Sequence, residues 1–596
     1  MSKDWVRLLL GSLVLATSLV TAWGCGPRNT SPAPAAPEAP DPDLQGPDLF
    51  EDVTPASGIA FTHRNGEDTS PHLAILESLG GGVAAIDFDG DGLVDLFFTG
   101  GGYFDGPDKK QIRGHACKLY KNLGNWKFKD VTAEGGLDSL ADGRPWFYTH
   151  AAAVADYDRD GWPDLLVTGW GRIALFHNVP DGKGGRKFED VSAKAGLDQG
   201  ITWATSAAFA DLDGDGFPDL YVCQYVNWNF DNHPKCDYDG KTPDVCPPKK
   251  FSGLPHKVYR NNGNGTFTDV SAEAGLRKGG LDASKGLGVV IVDVNGDGKP
   301  DVYVANDTVD NFLYVNQSTP GKVRLNEEGV PAGVARDGSS TANGSMGVDA
   351  GDPAGVGKPY VWVTNYEKEL HALYRNDSTP DQVLFLFHTQ ASGIAAIGQA
   401  FVGWGTGFLD FDHHGWEDIF IANGHAIRYP TGTTRLQKPV LLRNTGSGKF
   451  KDITPRGGSY FRKEHLGRGV VLADLDNDGK VDIVVSHMNE PVAILKNVAP
   501  SGNHWLGLEP AGKDHGDVVG AMVVVEAGGR KQTRFAKGGG SYASAPDKRF
   551  VVGLGPGEKI DKVTVTWPTA KEQEWTGLKA DRYYQLIEGE KEAKAR

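Results

Sequence analysis

One spacing of acidic residues, Asp-x-Asp-x-Asp-Gly-x-x-Asp, recurs along this chain of 596 residues. Carboxylates at alternate positions of a turn direct their oxygens toward one point, and this arrangement suits a hard cation that takes about six to eight oxygen ligands. A single acidic turn could equally be a solvated surface loop, but its repetition favours metal sites. The spacing therefore predicts five or six calcium sites.

Six copies of the pattern supply the predicted ligands, and the loops are numbered 1 to 7 in chain order. The predicted calcium ligands are Asp87, Asp89, Asp91 and Asp95 in loop 1; Asp156, Asp158, Asp160 and Asp164 in loop 2; Asp211, Asp213, Asp215 and Asp219 in loop 3; Asp293, Asn295, Asp297 and Asp301 in loop 4; Asp410, Asp412 and Asp418 in loop 6; and Asp474, Asp476, Asp478 and Asp482 in loop 7. Loop 5 begins at Asp352 and lacks three of the four ligands, so we expect no metal there. Loop 6 has His414 at its third ligand position, and because imidazole is a poor calcium ligand we expect a weaker site.

These loops differ from an EF-hand. Their twelfth position is Phe98, Val167 and Val222 in the first three copies, where an EF-hand has a bidentate Glu; the Asp at position nine closes each loop instead.

The chain has 77 acidic against 61 basic residues, a net charge of −16, and 22 of the acidic residues are loop aspartates. The negative charge therefore belongs to the metal sites, and it disfavours a nucleic-acid partner.

Four strand-like segments accompany each loop. In the first copy a small-residue strand (82–86) precedes the loop, an apolar strand follows it, a third ends at Asn122, and a fourth reads Phe128-Lys-Asp-Val-Thr132. Four strands repeated seven times predict an all-β, seven-bladed β-propeller, with the small residues near its axis. Because a Phe-x-Asp-Val segment at Phe50 precedes the first loop and none follows Asn497, the N-terminal strand should complete the last blade.

The N-terminus is typical of an exported protein. Lys3 and Arg7 precede an apolar run over residues 8–20, which is too short to span a bilayer but suits a signal peptide. It ends in Ala22-Trp-Gly-Cys25, which resembles a bacterial lipobox with Cys25 as the lipidated residue; plain cleavage near Ala22 is the alternative. We expect a cell-envelope lipoprotein, periplasmic or on the outer surface, that touches the membrane only through this lipid anchor, or alternatively a secreted protein.

The order of motifs resembles a known family. The loops look like the FG-GAP or VCBS calcium repeat of integrin-type propellers, and Gly81-Gly-Val, Tyr314-Val-Asn, Met346-Gly-Val and Asn423-Gly-His resemble the cartilage acidic protein family and its bacterial relatives. Residues 504–590, which include Gly538-Gly-Gly-Ser-Tyr542, resemble the ASPIC/UnbV domain. The expected order is a signal peptide (1–25), a Pro-rich linker (26–48), the propeller (49–500) and a small antiparallel β-domain (504–590).

The face of the propeller opposite the loops is the predicted ligand-binding face. Aromatic, amide and imidazole side chains there would suit a glycan or a protein ligand at the cell surface, although such residues could instead pack between blades and cap strand ends. The predicted ligand-face residues are Trp146, His150, Trp203, Gln224, Asn306, Asn365, Trp404, Asn423, His425 and His487.

Function classes can be narrowed further. The sequence has no His-Glu-x-x-His, Gly-x-Ser-x-Gly or phosphate-binding loop, which favours adhesion, recognition or envelope scaffolding, with calcium structural, over an enzyme. A carbohydrate-binding or carbohydrate-active propeller is the alternative.

Cys236 and Cys246 lie in an insertion between blades and should form a disulfide; Cys117 and Cys223 are either a second pair or buried thiols.

Overall fold

Seven sheets of mainly antiparallel strands follow one another in the computed structural model, which describes residues 44–277 and 284–596. The innermost strand of each sheet contacts the innermost strands of its two neighbours, and the seventh contacts the first, so the ring is closed. The protein is the predicted seven-bladed β-propeller, and sheets 1 to 7 are called its blades. Their strands, from the axis outward, are Val83–Ile86, Asp95–Phe98, Lys118–Asn122 and Phe128–Asp130 in blade 1; Thr149–Ala155, Asp164–Gly169, Ile173–Pro180 and Arg186–Asp190 in blade 2; Ala204–Ala210, Asp219–Gln224, Lys257–Asn261 and Phe267–Asp269 in blade 3; Gly286–Val292, Asp301–Asn306, Phe312–Asn316 and Leu325–Glu327 in blade 4; Ser345–Gly351, Tyr360–Asn365, Ala372–Asn376 and Phe385–Phe387 in blade 5; Gly403–Leu409, Asp418–Asn423, Val440–Asn444 and Phe450–Asp452 in blade 6; and Gly467–Ala473, Asp482–His487, Ala493–Asn497 and Phe50–Asp52 in blade 7.

A hydrophobic cluster fills the space between each pair of neighbouring blades. Between blades 1 and 2, for example, Phe97 and Leu119 pack with Leu165 and Val167, all of them fully buried. Alternate side chains of a strand point to opposite sides of its sheet, so each blade contributes to two clusters. This packing explains why the strands are apolar on both faces.

The N-terminal strand closes the ring, as predicted. Phe50, Glu51 and Asp52 pair antiparallel with Asn497, Lys496 and Leu495. The outermost strand of blade 7 therefore comes from the start of the described chain, and its three inner strands come from residues 467–497. A blade shared in this way ties the two ends of the propeller together by backbone hydrogen bonds.

The C-terminal region, residues 504–596, forms two further sheets around its own core. It differs from the antiparallel expectation at one pairing, because His504–Ala511 and Tyr583–Ile587 run parallel. A short strand, Gly538–Gly539, leaves these sheets and pairs with the innermost strand of blade 4. The strands of the region, by sheet, are Phe550–Gly555, His504–Ala511, Tyr583–Ile587 and Lys594–Ala595; and Arg530–Phe535, Met522–Ala527, Ile560–Thr566 and Glu572–Trp575.

Two small hairpins and several single turns of helix lie in the segments between these strands. The hairpins are Gly102–Asp105 with Gln111–Gly114 and Cys236–Asp237 with Pro243–Asp244; the α-helical turns are Thr54–Ser57 and Thr389–Ser392; and the 3₁₀ turns are Ile75–Ser78, Ala141–Gly143, Phe230–Asn232, Pro248–Lys250, Ile394–Ile397, Thr454–Arg456 and Lys513–His515. Within the described residues, no helix has the length and apolar character needed to cross a bilayer. The predicted signal peptide, Cys25 and residues 26–43 of the predicted linker lie outside the described residues.

Candidate metal loops and the two faces of the propeller

The aspartate at position nine is the fixed point of each predicted metal loop. In loop 1 the two oxygens of Asp95 accept hydrogen bonds from the backbone N–H groups of Phe88 (3.2 Å) and Asn122 (2.7 Å). These bonds hold the carboxylate between the start of the loop and the end of the third strand. The equivalent carboxylates are all at most 1% exposed, namely Asp95, Asp164, Asp219, Asp301, Asp418 and Asp482.

The first aspartate of each loop shapes the turn itself. The carboxylate of Asp87 accepts N–H groups of Gly90 (2.9 Å), Asp91 (3.1 Å) and Gly92 (3.0 Å). Gly92 has φ +85°, in the left-handed region that favours glycine, which explains the Gly at position six of the pattern. Loop 7 repeats the arrangement, with Gly479 donating to Asp474 at 2.7 Å.

The folded loops bring the predicted ligands together. In loops 1, 2, 3 and 6 at least three side chains of the pattern place a ligand atom within 4.8 Å of one another. One buried oxygen on each of Asp89, Asp213 and Asp476, all at position three, has no hydrogen-bond partner. A buried carboxylate oxygen without a donor is costly, and a cation at the centre of the loop would satisfy it. The residues present therefore fit calcium.

Burial disfavours the ionised form of these carboxylates when no cation is near. It raises the pKa of Asp95 to about 8, of Asp211 to about 7 and of Asp474 to about 6. The neighbouring carboxylates of the same loops raise it further in each case. The charge of a divalent ion would reverse both effects, because it favours the ionised form of every ligand.

A basic side chain from the third strand lies against several loops, a feature that the sequence pattern analysis missed. Lys121 contacts Asp89 and lies 3.0 Å from Asp91, and Lys496 lies 3.1 Å from Asp476. The signal was present in the sequence, because these residues immediately precede the Asn that ends the strand. The same position is His177 in blade 2, whose ring is 3.1 Å from Asp164.

Loops 5 and 6 depart from the common arrangement. In loop 6 the ring of His414 lies 3.0 Å from Asp410 and 2.9 Å from Asp412. Burial alone would lower the pKa of His414, but its hydrogen bonds to these two carboxylates raise it to about 11, so an imidazolium supplies positive charge there. In loop 5 Asp352 accepts N–H groups of its own turn and keeps the frame of the loop without the other carboxylates.

An asparagine connects each blade to the loop of the blade before it. The side-chain N–H groups of Asn122 donate to the carbonyls of Val94 in its own loop (3.0 Å) and of Leu475 in loop 7 (2.8 Å). All seven blades share this pair of hydrogen bonds, and in each the second acceptor is the carbonyl of residue two of the preceding loop. The seven residues are Asn122, Asn178, Asn261, Asn316, Asn376, Asn444 and Asn497.

The structure contradicts the prediction of a ligand-binding face opposite the loops. All ten residues named for it are buried, none more than 4% exposed. Many of their polar atoms bond within the protein: Trp203 donates to His150 (2.8 Å), Trp404 donates to the carbonyl of Gly424 (2.6 Å), and Gln224 accepts the N–H of Thr202 (2.9 Å). Nδ1 of His150 and Oδ1 of Asn423 are buried without a hydrogen-bond partner. The amides cap strand ends and the aromatic rings pack, so these side chains do not form an open binding surface.

A lid built from insertions covers that face. The insertion after blade 3's second strand contains the disulfide between Cys236 and Cys246 and packs Val245 and Cys246 into the same cluster as Trp203. Asp244 accepts the N–H groups of Arg428 (3.0 Å) and Tyr429 (2.7 Å), which lie between the second and third strands of blade 6. The lid therefore spans the propeller. Cys117 and Cys223 remain free, buried thiols.

The opposite, loop-bearing face carries the C-terminal region, and a cleft of about 1030 Å³ lies between the two. Tyr583 donates a hydrogen bond to Asp474 of loop 7 (2.7 Å), and Asp517 accepts the N–H of Asp211 in loop 3 (2.9 Å). The lining residues of the cleft include Asp87, Asp91 and Asp156 from loops 1 and 2, Trp162 and Trp505, and the basic residues Lys548, Arg549, Arg582 and Arg596.

Comparison with known proteins agrees with this architecture. The FG-GAP-like repeat model matches residues 87–167, 156–222, 255–304 and 410–485, and the ASPIC and UnbV model matches residues 511–593. Mouse (Mus musculus) cartilage acidic protein 1 is 24% identical over 527 residues, which cover 85% of this chain and 64% of the mouse protein. The chain thus spans less than two thirds of that relative's length. Chicken (Gallus gallus) integrin alpha-6 is 28% identical over 156 residues, 25% of this chain and 13% of the integrin.

Solved structures offer a more distant match. A structure of an Agrocybe aegerita lectin that recognises non-reducing terminal N-acetylglucosamine matches 64% of this chain and 88% of its own, at 16% identity and a TM-score of 0.37. At that TM-score the two structures differ too much for a function to be transferred.

Proposed function

Because this chain combines FG-GAP-like repeats with an ASPIC and UnbV domain and is homologous to cartilage acidic protein 1, we propose that it is an exported, calcium-binding propeller that acts in adhesion or recognition. The observation that carries the proposal is the set of converging loop carboxylates with buried, unpartnered oxygens on Asp89, Asp213 and Asp476. The integrin-like repeats support recognition of a protein or glycan ligand.

Calcium has a structural role in this proposal. Each loop is joined to its third strand through the position-nine aspartate and to the next blade through the asparagine. A cation that neutralises one loop therefore stabilises the contact between two blades. We expect five strong sites, in loops 1, 2, 3, 4 and 7, and a weaker site in loop 6, where His414 supplies part of the charge.

Calcium titration tests the proposal. The purified protein, stripped with EDTA, should bind about five or six Ca²⁺ by calorimetry. At about 1 mM calcium, each site with a Kd of about 10 µM adds about 2.7 kcal/mol to the free energy of unfolding. The variant Asp213→Asn should lose one site, whereas Asp138→Asn, an exposed aspartate outside the loops, should keep all of them. Unchanged melting with EDTA and no heat of binding would remove the basis of the proposal.

The cleft beside loops 1 and 2 is where we place the ligand. Trp162 is partly exposed and offers a ring surface, and Lys548 and Arg582 offer positive charge from the C-terminal region. The lining also carries Glu509, Asp547 and Asp581 beside the loop aspartates. A ligand with acidic groups, such as an acidic glycan or an acidic protein surface, therefore fits it when calcium neutralises loops 1 and 2. The alternative of a carbohydrate-active enzyme on the opposite face loses its candidates, because His150, His425 and His487 are buried.

A binding screen tests the location. We expect an immobilised panel of acidic and neutral glycans to retain the protein through acidic members only. The double variant Lys548→Ala, Arg582→Ala should weaken retention at least about tenfold, which is about 1.4 kcal/mol. Lys571→Ala, an exposed lysine elsewhere in the C-terminal region, is the matched control. Equal retention of both variants would place the ligand elsewhere.

Export and a lipid anchor complete the proposal. Homology to cartilage acidic protein 1 supports an extracellular or envelope location. If Cys25 is lipidated, metabolic labelling with a fatty acid should label the native chain and not Cys25→Ser. Cleavage near Ala22 without label would instead make the protein secreted.

A further inference from the structure

Another pocket lies at the seam where the ring closes, and its volume is about 560 Å³, a size usual for small-molecule sites. One side is formed by residues 52–60, which follow the N-terminal strand, and another by residues 490–493, which lead into the third strand of blade 7. Its lining includes His487, at the end of the strand that begins with Asp482 of loop 7. The pocket therefore opens away from the metal loops, and it shares no residue with the cleft beside loops 1 and 2.

Much of the pocket wall is apolar. Ile59 and Val492 are buried side chains, and Pro55, Ala60 and Pro491 are exposed. An aliphatic group placed against these side chains would lose contact with water, which is favourable.

Three stacked rings form a rigid part of the wall. The rings of Tyr460 and His465 have centroids 4.2 Å apart, and those of His465 and His487 are 5.0 Å apart. Nδ1 of His487 donates to the carbonyl of Pro491 (2.5 Å), and because the proton is on Nδ1, Nε2 accepts the hydroxyl of Tyr460 (2.8 Å). Burial lowers the pKa of His487 to about 4, so this ring is neutral near pH 7.

The two imidazoles do not offer a metal site. Nε2 of His465 lies 3.3 Å from the carbonyl of Tyr460, and its Nδ1 lies 3.4 Å from a carboxylate oxygen of Glu490. Both nitrogens of His487 also have partners. A transition metal needs an imidazole nitrogen with a free lone pair, so the pocket does not suit one.

The charge of the pocket lining is negative. Glu490 and Asp52 contribute two carboxylates, and none of the described residues that line the pocket is a lysine or an arginine. Burial raises the pKa of Tyr460, and the charges of these two carboxylates raise it further. Even with a proton on His465, two negative charges would face one positive charge.

Order at the carboxylates reduces the cost of binding. One oxygen of Asp52 accepts the N–H (3.1 Å) and the hydroxyl (2.6 Å) of Thr54, and Glu490 is held beside His465. The Glu490 side chain is 28% exposed, so a ligand that enters from solvent can reach it.

We propose that this pocket binds an alkylammonium group, that is, a protonated amine on a short aliphatic chain. An ammonium has three N–H donors and no acceptor, and it therefore matches the carboxylates of Glu490 and Asp52. The aliphatic chain packs against Ile59 and Val492, and the negative lining repels anions. A free amine and the lysine side chain of a partner protein both have this chemistry.

Three probes of equal chain length test the charge preference. Pentylamine, pentan-1-ol and pentanoate are titrated separately into the chain from residue 26, in saturating calcium, and binding is followed by saturation-transfer NMR of the ligand signals. Pentylamine should bind at least about tenfold more tightly than pentan-1-ol, and pentanoate should not bind. Equal binding of the amine and the alcohol, or a preference for pentanoate, would overturn the proposal.

Two further ligands distinguish the sources of the ammonium group. Cadaverine represents a free amine, and Nα-acetyl-lysine methylamide represents a lysine of a partner protein. Both should bind, and the tighter of the two identifies the source. If neither displaces pentylamine, the pocket does not recognise the ammonium group.

Matched variants locate the binding. Glu490→Gln removes one charge and keeps the size of the side chain, and it should weaken pentylamine binding about tenfold. Glu464→Gln is the control, because Glu464 is exposed nearby but does not line the pocket. An equal effect of the two variants would show that the amine responds only to the general negative charge of the protein.

A filled pocket separates shape from charge. Ala60 is exposed, so Ala60→Trp should place its ring in the pocket without disturbing the core, and it keeps both carboxylates. This variant should lose pentylamine binding. Undiminished binding would place the amine elsewhere.

Thermal melting provides a second readout. A ligand that binds only the folded protein raises its melting temperature, so pentylamine should do so in the parent and much less in Glu490→Gln at the same concentration. Asp213→Asn, which alters a metal loop, should show the same rise as the parent, so failure of the calcium proposal would not imitate failure of this one. No rise in the parent at saturating pentylamine would contradict the proposal.

Discussion

Asn122→Ala should weaken the ring at the junction of blades 1 and 7. The Asn122 side chain is 1% exposed and makes three hydrogen bonds: two to the carbonyls of Val94 and Leu475, and one from the N–H of Gly124 (2.9 Å). At about 1 kcal/mol each, their loss costs about 3 kcal/mol. Because both carbonyls become unpaired in a buried place, we expect about 3 to 5 kcal/mol in total.

The control is Asn262, which follows the equivalent asparagine of blade 3 in the sequence. Asn262 also makes three side-chain hydrogen bonds, to Thr266, Arg260 and Thr268, but it lies at a hairpin on the surface where water can replace them. Asn262→Ala should therefore cost less than about 1 kcal/mol. The difference between the two variants isolates burial and the link between blades.

Urea unfolding followed by tryptophan fluorescence measures both variants, in saturating calcium so that the metal loops do not change state. The midpoint of the first transition should fall clearly for Asn122→Ala and hardly for Asn262→Ala. If the two variants lose equal stability, the asparagine bonds do not couple the blades, and the account of the loops as linked units is wrong.

Three other outcomes are expected. Burial lowers the pKa of His63 to about 4 from its ordinary 6.5, so the unfolded chain binds the proton more readily than the folded protein. Because of this residue, the free energy of unfolding should fall by about 2 kcal/mol when the pH is lowered from 7 to 5. His63→Gln should lose that share of the pH dependence in calorimetric melts. Cys117 and Cys223 are buried thiols, and burial raises the pKa of Cys117 to about 12; in a chain starting at residue 26 neither should react with Ellman's reagent until the protein unfolds, and fast reaction in the native state would show an open core. Replacing Cys236 and Cys246 by Ser should cost about 2 to 3 kcal/mol and speed proteolysis within the lid, whereas equal cleavage rates would mean that the disulfide does not order it.

Local pattern was enough to predict the blades. The loop spacing, the small residues before each loop and the Asn that ends each third strand are all short-range signals, and they led to seven four-stranded sheets. Even the closure by Phe50 against Asn497 followed from counting strands. Such features are readable because a blade is a chain of hairpins, whose partners are neighbours in sequence.

The faces of the molecule could not be read in the same way. Trp203 and His425 were expected to be accessible, but both are buried. The insertion around Cys236 and Cys246 packs into the cluster that contains Trp203, and nothing in an insertion's composition indicates what it will cover. The hydroxyl of Tyr542 accepts the backbone N–H of Gly80, a contact between residues more than 400 positions apart in the sequence. The sequence by itself determined the repeat, the loops and the blade count; tertiary structure alone decided which surfaces remain open, because burial depends on contacts between distant segments that leave no periodic trace.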